Sequence, residues 1–438
     1  MAQIRQNKQV ESSSSEAPPF TPRAVVGVGA IAGDLGALTS LFARIPRGTG
    51  LAMVIVLADH SSTSNVRQAL APVAHIPIVT VSDNEWVEPD HAYLVPSGMA
   101  SIYENGALRL QPLSQIKQST AVDTILYSLA EQLGARAVGV MLDCSTTDGA
   151  NGLEALKREG GLTFAADPGS SPHASAPAST AAADHILDPG AIADELVRLA
   201  KHPYLTPKAD QEPDDFEAFG PPILALLSQQ NGVNFGDYKS ATIRRRIMRR
   251  VMLGRFTSLR DYWLELSRYP EELDRLCQDL LISVTGLFRD PEVYDCLASR
   301  ILPELMRCID PGQPLRVWVP GCSKGDEAFS VAITLLEVAE AQRYRRPFQI
   351  FATDVNPKAL EHARAGIYPE SLATELSPDR LRRFFQPLKR VLGSFHPPEG
   401  LTVSWAYSDR MQLGVQIQPG RYDSSLLVVL HIDAQLEP

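Results

Sequence analysis

The stretch Val25–Leu38 reads VVGVGAIAGDLGAL: a run of small and β-branched residues, a glycine-rich turn, then a helix. This order predicts a buried strand that feeds a helix through a tight turn, the unit from which parallel sheets are built. Outward from it, the apolar runs LAMVIVLA, IPIVTV, HAYLVP, AVGVMLD and LTFAAD alternate with helical stretches such as AVDTILYSLAEQLG as far as about His202. The predicted fold is α/β, beginning with a three-layer αβα domain whose parallel sheet carries helices on both faces. Active sites in such sheets form where loops leave the carboxyl ends of the strands, here GVGAIAGD, VLADHSS and LDCSTTDG. The tip of the first of these turns is Ile31, a side chain with no nucleophilic atom.

A length of 438 residues predicts two or three domains, each able to bury its own core. The chain is 44% hydrophobic and 21% charged, a globular balance. Its net charge of -10 and pI near 5.5 argue against a general nucleic-acid-binding surface, which shows up as a basic excess. Cys144, Cys277, Cys296, Cys308 and Cys322 are scattered and form no CxxC pair, as expected of reduced thiols in a cytoplasm. The histidines form no HExxH or HxH motif, so no metal centre is expected. Residues 1–22 are polar and Ser-rich, which predicts a disordered tail without the apolar core of a signal peptide. No run approaches the ~18 apolar residues of a membrane helix, so no membrane insertion is expected.

The predicted first domain spans 23–202, and the Pro- and acid-rich residues 203–215 form a linker. Residues 216–290 carry apolar positions at three- and four-residue intervals and form a small all-helical domain. A second α/β unit, 291–386, is a partial Rossmann-like domain with strands LRVWVPG and FQIFATD. Residues 387–438 are an unassigned tail in which LTVSWAY and SLLVVLHI are candidate strands.

The second unit holds the more specific motif, VWVPGCSKGDEAFSVAI at Val317–Ile333. Gly321 and Gly325 allow a tight turn after the strand and a close approach of backbone to ligand. About thirty residues on, FQIFATD ends in Asp354, a carboxylate placed to accept hydrogen bonds from ribose hydroxyls. The loop has no Lys-Ser/Thr pair, which favours a nucleoside over a triphosphate. Residues 239–260 hold eight basic side chains and no acid; on a helix Arg246, Arg249 and Arg250 share a face. That face suits acidic partner helices, or is a solvated surface balanced by acids elsewhere.

Two resemblances follow from these motifs. Residues 23–200, including TFAADP and ILDPGAIADEL, resemble the catalytic domain of the chemoreceptor methylesterases, the CheB family, which remove methyl esters from receptor glutamates with a Ser/His/Asp triad. The family's Gly-Ala-Ser-x-Gly-Gly becomes Gly29, Ala30, Ile31, Ala32, Gly33 and Asp34. Its Gln-His aligns with Leu57 and Ala58, with His60 two positions further on, and its Asp aligns with Asp148. The resemblance therefore implies a scaffold that has lost nucleophile and base and kept the acid, with no esterase activity. Dinucleotide binding by Gly27, Gly29 and Gly33 is the alternative reading of the same turn.

From about Phe216 the chain resembles the chemoreceptor methyltransferases, the CheR family, which esterify receptor glutamates with S-adenosylmethionine. LLISVTGLFRD carries that family's Thr-x-x-Phe-Arg as Thr285, Phe288 and Arg289, and GCSKGDEAFS its glycine loop. Lys324, Asp326 and Ala328 replace the family's Thr, Glu and Pro. The resemblance implies S-adenosylmethionine as cofactor, held by Thr285, Arg289, Gly321, Gly325, Asp326, Glu327 and Asp354. Thr285 and Arg289 would grip the methionine end, and Asp326 and Glu327 would sit near the sulfonium or amino group. It implies chemoreceptor cytoplasmic helices as partners, with Arg246, Arg249 and Arg250 as substrate-binding residues. The family's later Asn-Leu loop and Cys-Arg-Asn-x-x-x-Tyr-Phe segment have no visible counterpart, which leaves the pocket without one wall. The expected function is a protein-glutamate methyltransferase fused to an inactive esterase domain; the alternative is an inactive adaptor in chemosensory signalling.

Overall fold

The computed structural model describes residues 21–31, 35–58, 63–116, 120–142, 148–168, 183–205, 215–236, 238–281, 286–309, 313–345, 347–368, 376–388, 391–394, 401–407 and 427–429. Most of the predicted disordered tail and most of the predicted linker lie outside them. The chain divides into two compact units, residues 1–212 and 213–438.

In the first unit the stretch Ala24–Ala30 is β1, buried along its whole length, and Leu51–Leu57 is β2, equally buried. With β3 (Ile78–Thr80), β5 (His91–Leu94), β8 (Ala137–Met141), β9 (Leu162–Ala166) and β10 (His185–Leu187) they make a seven-stranded sheet, order β10-β9-β8-β1-β2-β5-β3. Every described pairing in it is parallel. Strands buried on both faces read as continuous apolar runs, which is why alternation is absent here. Helices α1 (Leu35–Phe42) and α2 (Thr63–Leu70) pack with each other; α3 (Ala121–Leu133) and α4 (Ala150–Arg158) pack together, and α5 (Pro189–Ala200) lies against α1. This is the three-layer αβα arrangement that the alternating pattern predicts.

A second sheet was not anticipated. β4 (Glu85–Trp86), β6 (Met99–Glu104) and β7 (Ala107–Pro112) form an antiparallel layer, order β4-β7-β6, beside α3. Its hairpin turns at Asn105 and Gly106, both at positive φ (51° and 92°), the geometry an Asn-Gly pair favours.

In the second unit α6 (Asp215–Asn231), α7 (Ser240–Leu253), α8 (Leu259–Arg268) and α9 (Pro270–Leu280) form the helical region. α10 (Pro291–Cys296) and α11 (Leu302–Cys308) lead into β11 (Leu315–Pro320), α12 (Asp326–Ala341), β12 (Phe348–Asp354), α13 (Pro357–Ala365) and α14 (Pro378–Phe384). β13 (Gln386–Leu388) and β14 (Val391–Ser394) form a short antiparallel pair. β15 (Leu401–Tyr407) and β16 (Leu427–Val429) then complete a parallel sheet of order β15-β12-β11-β16. The sheet thus continues beyond residue 386, where the sequence reading stops it: LTVSWAY is a strand beside β12, and three residues of the second candidate, LVV, pair with β11. The core lies on one face, where Leu315, Val317, Val319, Ile350 and Ala352 meet Ala328, Val331, Ala332 and Leu335 of α12.

The basic face expected on α7 is corrected by the fold. Arg249 is 1% and Arg246 7% exposed. Arg249 Nη1 donates to Asp279 Oδ2 at 3.0 Å, and Arg250 grips both oxygens of Glu272 at 2.6 Å, with the Tyr262 hydroxyl donating to Glu272 Oε1. The balancing acids come from α9, 22 and 30 residues downstream, beyond the reach of any local spacing rule. These side chains pin α7 to α9. Lys239, Arg255 and Arg260 are the bases of this segment classed as exposed.

Breaking such a half-buried bidentate pair leaves a charge stranded, at about 3 kcal/mol. Arg250→Met is expected to lower unfolding stability by that order in urea denaturation, and Arg250→Met with Glu272→Leu to recover much of the loss.

Candidate functional site

Two sets of strand ends carry the residues singled out by sequence. In the first unit, Ile31 follows β1 and Ala58 follows β2, both half-buried, and Ala58 N–H donates to the Ala30 carbonyl at 2.9 Å. Neither side chain has an atom that attacks a carbonyl or carries a proton. Ala32, Gly33, Asp34 and His60 lie outside the described residues.

Asp148 is present, and its oxygens serve α3. Oδ2 accepts from Val122 N–H at 3.1 Å and Oδ1 from Asp123 N–H at 2.9 Å, so the carboxylate meets the positive end of that helix. Asp123 does the same for α4, its Oδ1 accepting from Gly149 N–H (3.0 Å) and Gly152 N–H (2.7 Å). The two aspartates are reciprocal caps. Only glycine fits at 152, because a Cβ there would come 2.6 Å from Leu126 Cβ, across the α3–α4 contact. Burial raises the Asp123 carboxyl to about 6, aided by the neighbouring Asp148 charge and opposed by its two amide donors.

Between about pH 4 and pH 6 the folded chain therefore keeps an Asp123 proton that the unfolded chain has released. Stability from this group falls as pH rises through that window. In Asp123→Asn that part of the pH dependence should vanish, so thermal melts of the two proteins should diverge progressively from pH 4 to 6 and run parallel above it.

In the second unit the order β15-β12-β11-β16 reverses direction at β11, and the loop after β11 is the predicted ligand loop. In open parallel sheets this switch point is where ligands sit. Gly321 and Gly325 have φ of 69° and 96°, the backbone freedom that the loop requires. Asp354, 7% exposed at the end of β12, accepts from Ser323 N–H through Oδ2 and from Asn356 N–H through Oδ1, each at 2.7 Å. One carboxylate thereby fastens the glycine loop to the β12–α13 turn. Asp326 and Glu327 begin α12, Asp326 being 6% exposed, and Lys324 beside them is half-buried. The Cys322 thiol is pushed up to about 12 by burial, with the charges of Asp354 and Glu327 adding to it. It packs as an apolar group.

Phe288 is tied to α12, the helix that this loop enters. It sits at φ 53°, and its N–H donates to Ser330 Oγ of α12 at 2.9 Å. The Arg380 guanidinium lies 3.9 Å from the Phe288 ring centroid and is held by both Glu337 oxygens at 2.8 Å. This Glu337–Arg380–Phe288 stack fixes the segment that carries the exposed Arg289, and sequence reasoning missed it because it joins positions 43 and 92 residues apart. Thr285 lies outside the described residues, so the structure brings together Gly321, Gly325, Asp326, Glu327 and Asp354, with Arg289 placed by its neighbour. Removing the stack with Arg380→Ala should weaken ligand binding at this loop about tenfold in a titration, while Arg380→Lys should restore only part.

The loop offers polar groups to a ligand. The buried hydroxyls Ser323 Oγ and Tyr368 Oη have no hydrogen-bond partner among the described residues, and Ser323 is in the glycine loop itself. A buried hydroxyl without a partner is costly and marks a place for a polar ligand group. Burial, reinforced by Asp326, also raises the Tyr368 pKa, which keeps its hydroxyl a donor.

The family CheB methylesterase matches residues 26–196, the CheR methyltransferase all-alpha domain residues 221–281, and the CheR methyltransferase SAM binding domain residues 283–413. An uncharacterized 104.1 kDa protein of Rhodobacter capsulatus is 33% identical over 72% of this chain and 36% of its own length. Chemotaxis protein methyltransferase 2 of Pseudomonas aeruginosa is 30% identical over 37% of this chain and 56% of its own. Chemotaxis protein methyltransferase 1 of Vibrio cholerae is 32% identical over 41% of this chain and 62% of its own. The chain thus spans from about a third to under two thirds of these relatives. The solved CheB methylesterase catalytic domain of Thermotoga maritima, 21% identical, covers 40% of this chain and 98% of its own with a TM-score of 0.35. Residues 26–196 thus match the CheB methylesterase family, and residues 221–281 and 283–413 match the two domains of the CheR methyltransferase family.

Proposed function

We propose that this CheB–CheR fusion is a chemotaxis signalling protein whose second unit methylates glutamate carboxylates of chemoreceptors. Its first unit, in this reading, keeps an esterase scaffold without esterase chemistry. The observation that carries the proposal is the Asp354 clamp, which holds a glycine loop ready for ligand at the switch point of the sheet. The match of residues 283–413 to a SAM binding domain supports S-adenosylmethionine as the methyl donor.

When bound, the cofactor would supply a methyl group on a cationic sulfur for transfer to an ionised carboxylate, the C–S bonding electrons staying on sulfur as the new C–O bond forms. No proton moves, so the chain needs no general base and contributes alignment and desolvation instead. Gly321 and Gly325 admit the ligand to the backbone, and Asp326 and Glu327 set negative charge beside the cation. Asp354, while bracing the loop, would receive the ribose, and Arg289 with Thr285 would hold the carboxylate of the methionine end. Attraction for an acidic receptor helix is assigned to the exposed Lys239, Arg255 and Arg260, because Arg249 and Arg250 are committed to α9. No helix among the described residues is long and apolar enough to cross a membrane, and we place the protein with receptor cytoplasmic domains.

Ile31 and Ala58 support the loss of esterase chemistry in the first unit, and Asp148 there acts as a helix cap. Calorimetric titration with S-adenosylhomocysteine should show binding that Asp354→Ala reduces at least tenfold. Incubation with methylated receptor should release no methanol. Methanol release would overturn the reading of the first unit. Absence of cofactor binding with persistent receptor capture would replace the enzyme by an adaptor.

A further inference from the structure

We propose that Ser330 is a positioning residue of the methyl-donor site: its hydroxyl fixes Arg289 relative to Glu327, so that the two charges receive the amino-acid end of the donor together. This rests on the reading of the Gly321–Gly325 loop as the donor site, and adds to it a residue that acts through its neighbours. Ser330 is the fifth residue of α12 and is 0% exposed. A hydroxyl has one hydrogen to donate and two lone pairs with which to accept. The Ser330 hydrogen goes to the Asp326 carbonyl at 2.7 Å. One lone pair accepts the Phe288 N–H at 2.9 Å. Tyr294 of α10 is the third partner: its hydroxyl is hydrogen-bonded to Ser330, and burial, reinforced by the charge of Glu327, raises its pKa and keeps it protonated. One buried hydroxyl thus joins the start of α12, the segment that carries Arg289, and α10.

The register of these bonds matters to the site. Asp326 directly precedes Glu327, and Phe288 directly precedes Arg289, so a single oxygen is anchored one residue before an acid and one residue before a base. Both anchors are backbone groups, which fixes the path of the chain at each charge. The segment around Arg289 also needs holding. Phe288 and Asp290, on either side of it, sit at φ 53° and 57°, a left-handed conformation that costs energy in a residue with a side chain. Such a turn persists only where its surroundings over-determine it. Here they are the Ser330 bond, the edge-on contact of the Phe288 ring with Tyr294 at 5.2 Å between centroids, and the Arg380 guanidinium over the ring. Ser330 is the member that ties the turn to the acidic start of α12. A free amino-acid end carries an ammonium and a carboxylate on one carbon, and binding both at once favours a cation and an anion whose separation is set beforehand. Ligands that carry both charges therefore depend on Ser330, and ligands that lack them do not.

The test is calorimetric titration of the full chain with S-adenosylhomocysteine, which carries both charges, and 5′-methylthioadenosine, which carries neither. Ser330→Ala removes the hydroxyl and suits a helix interior. It should weaken S-adenosylhomocysteine at least tenfold and 5′-methylthioadenosine less than twofold, and Ser330→Thr, which returns a hydroxyl, should recover most of the loss. On an Arg289→Ala background, Ser330→Ala should cost S-adenosylhomocysteine less than twofold, because the group it positions is gone. A loss shared equally by the two ligands, or one that persists in full beside Arg289→Ala, would mark a merely structural residue and overturn the proposal. Unchanged binding of S-adenosylhomocysteine by Ser330→Ala would overturn it as well, and in each of these cases the donor-site reading stands. If the unsubstituted chain binds neither compound, the donor-site reading fails and this proposal with it.

Discussion

The second unit depends on one carboxylate. Asp354 ends a buried strand and accepts two backbone amides at 2.7 Å, one from the loop after β11 and one from the turn before α13. Charge-assisted bonds of this length are among the stronger polar interactions available to a chain. Because the partners are backbone groups, they fix the path of the chain and not only a side-chain rotamer. The glycine loop is held open at the place where the strand order reverses, and the Asn356 cap of α13 is set in the same turn. The Asp354 of the sequence reading was a ribose acceptor; in the structure it is first a brace, and any ligand it receives meets a loop already in position.

The first unit shows the opposite use of the same residue type. Asp148 and Asp123 cap each other's helices, so both carboxylates serve the packing of α3 against α4. The strand that ends before Ile31 and the helix that begins at Leu35 are packed by their own buried apolar residues. A fold is held by its buried strands and helix caps; its chemistry hangs on two or three atoms at the strand ends.

Much of this was legible in the chain itself. The continuous apolar runs gave the parallel strands, and the glycines at 321 and 325 gave the ligand loop, because both signals are local. The antiparallel layer was also written there, in Asn105-Gly106 between alternating residues, and went unread beside the stronger runs. The arginines of α7 were misread for a different reason: their partners Glu272 and Asp279 lie on α9, and helical periodicity reports neighbours on one helix only. The Glu337–Arg380–Phe288 stack is likewise a product of tertiary structure. No spacing rule announces it.

The central claim is that the braced loop after β11 receives an adenosyl ligand. Hydrogen–deuterium exchange of the full chain with and without S-adenosylhomocysteine tests it most directly. The account predicts slower exchange confined to Gly321–Asp326 and Val355–Asn356, with the first unit unchanged. Identical exchange in these segments at saturating ligand would contradict it.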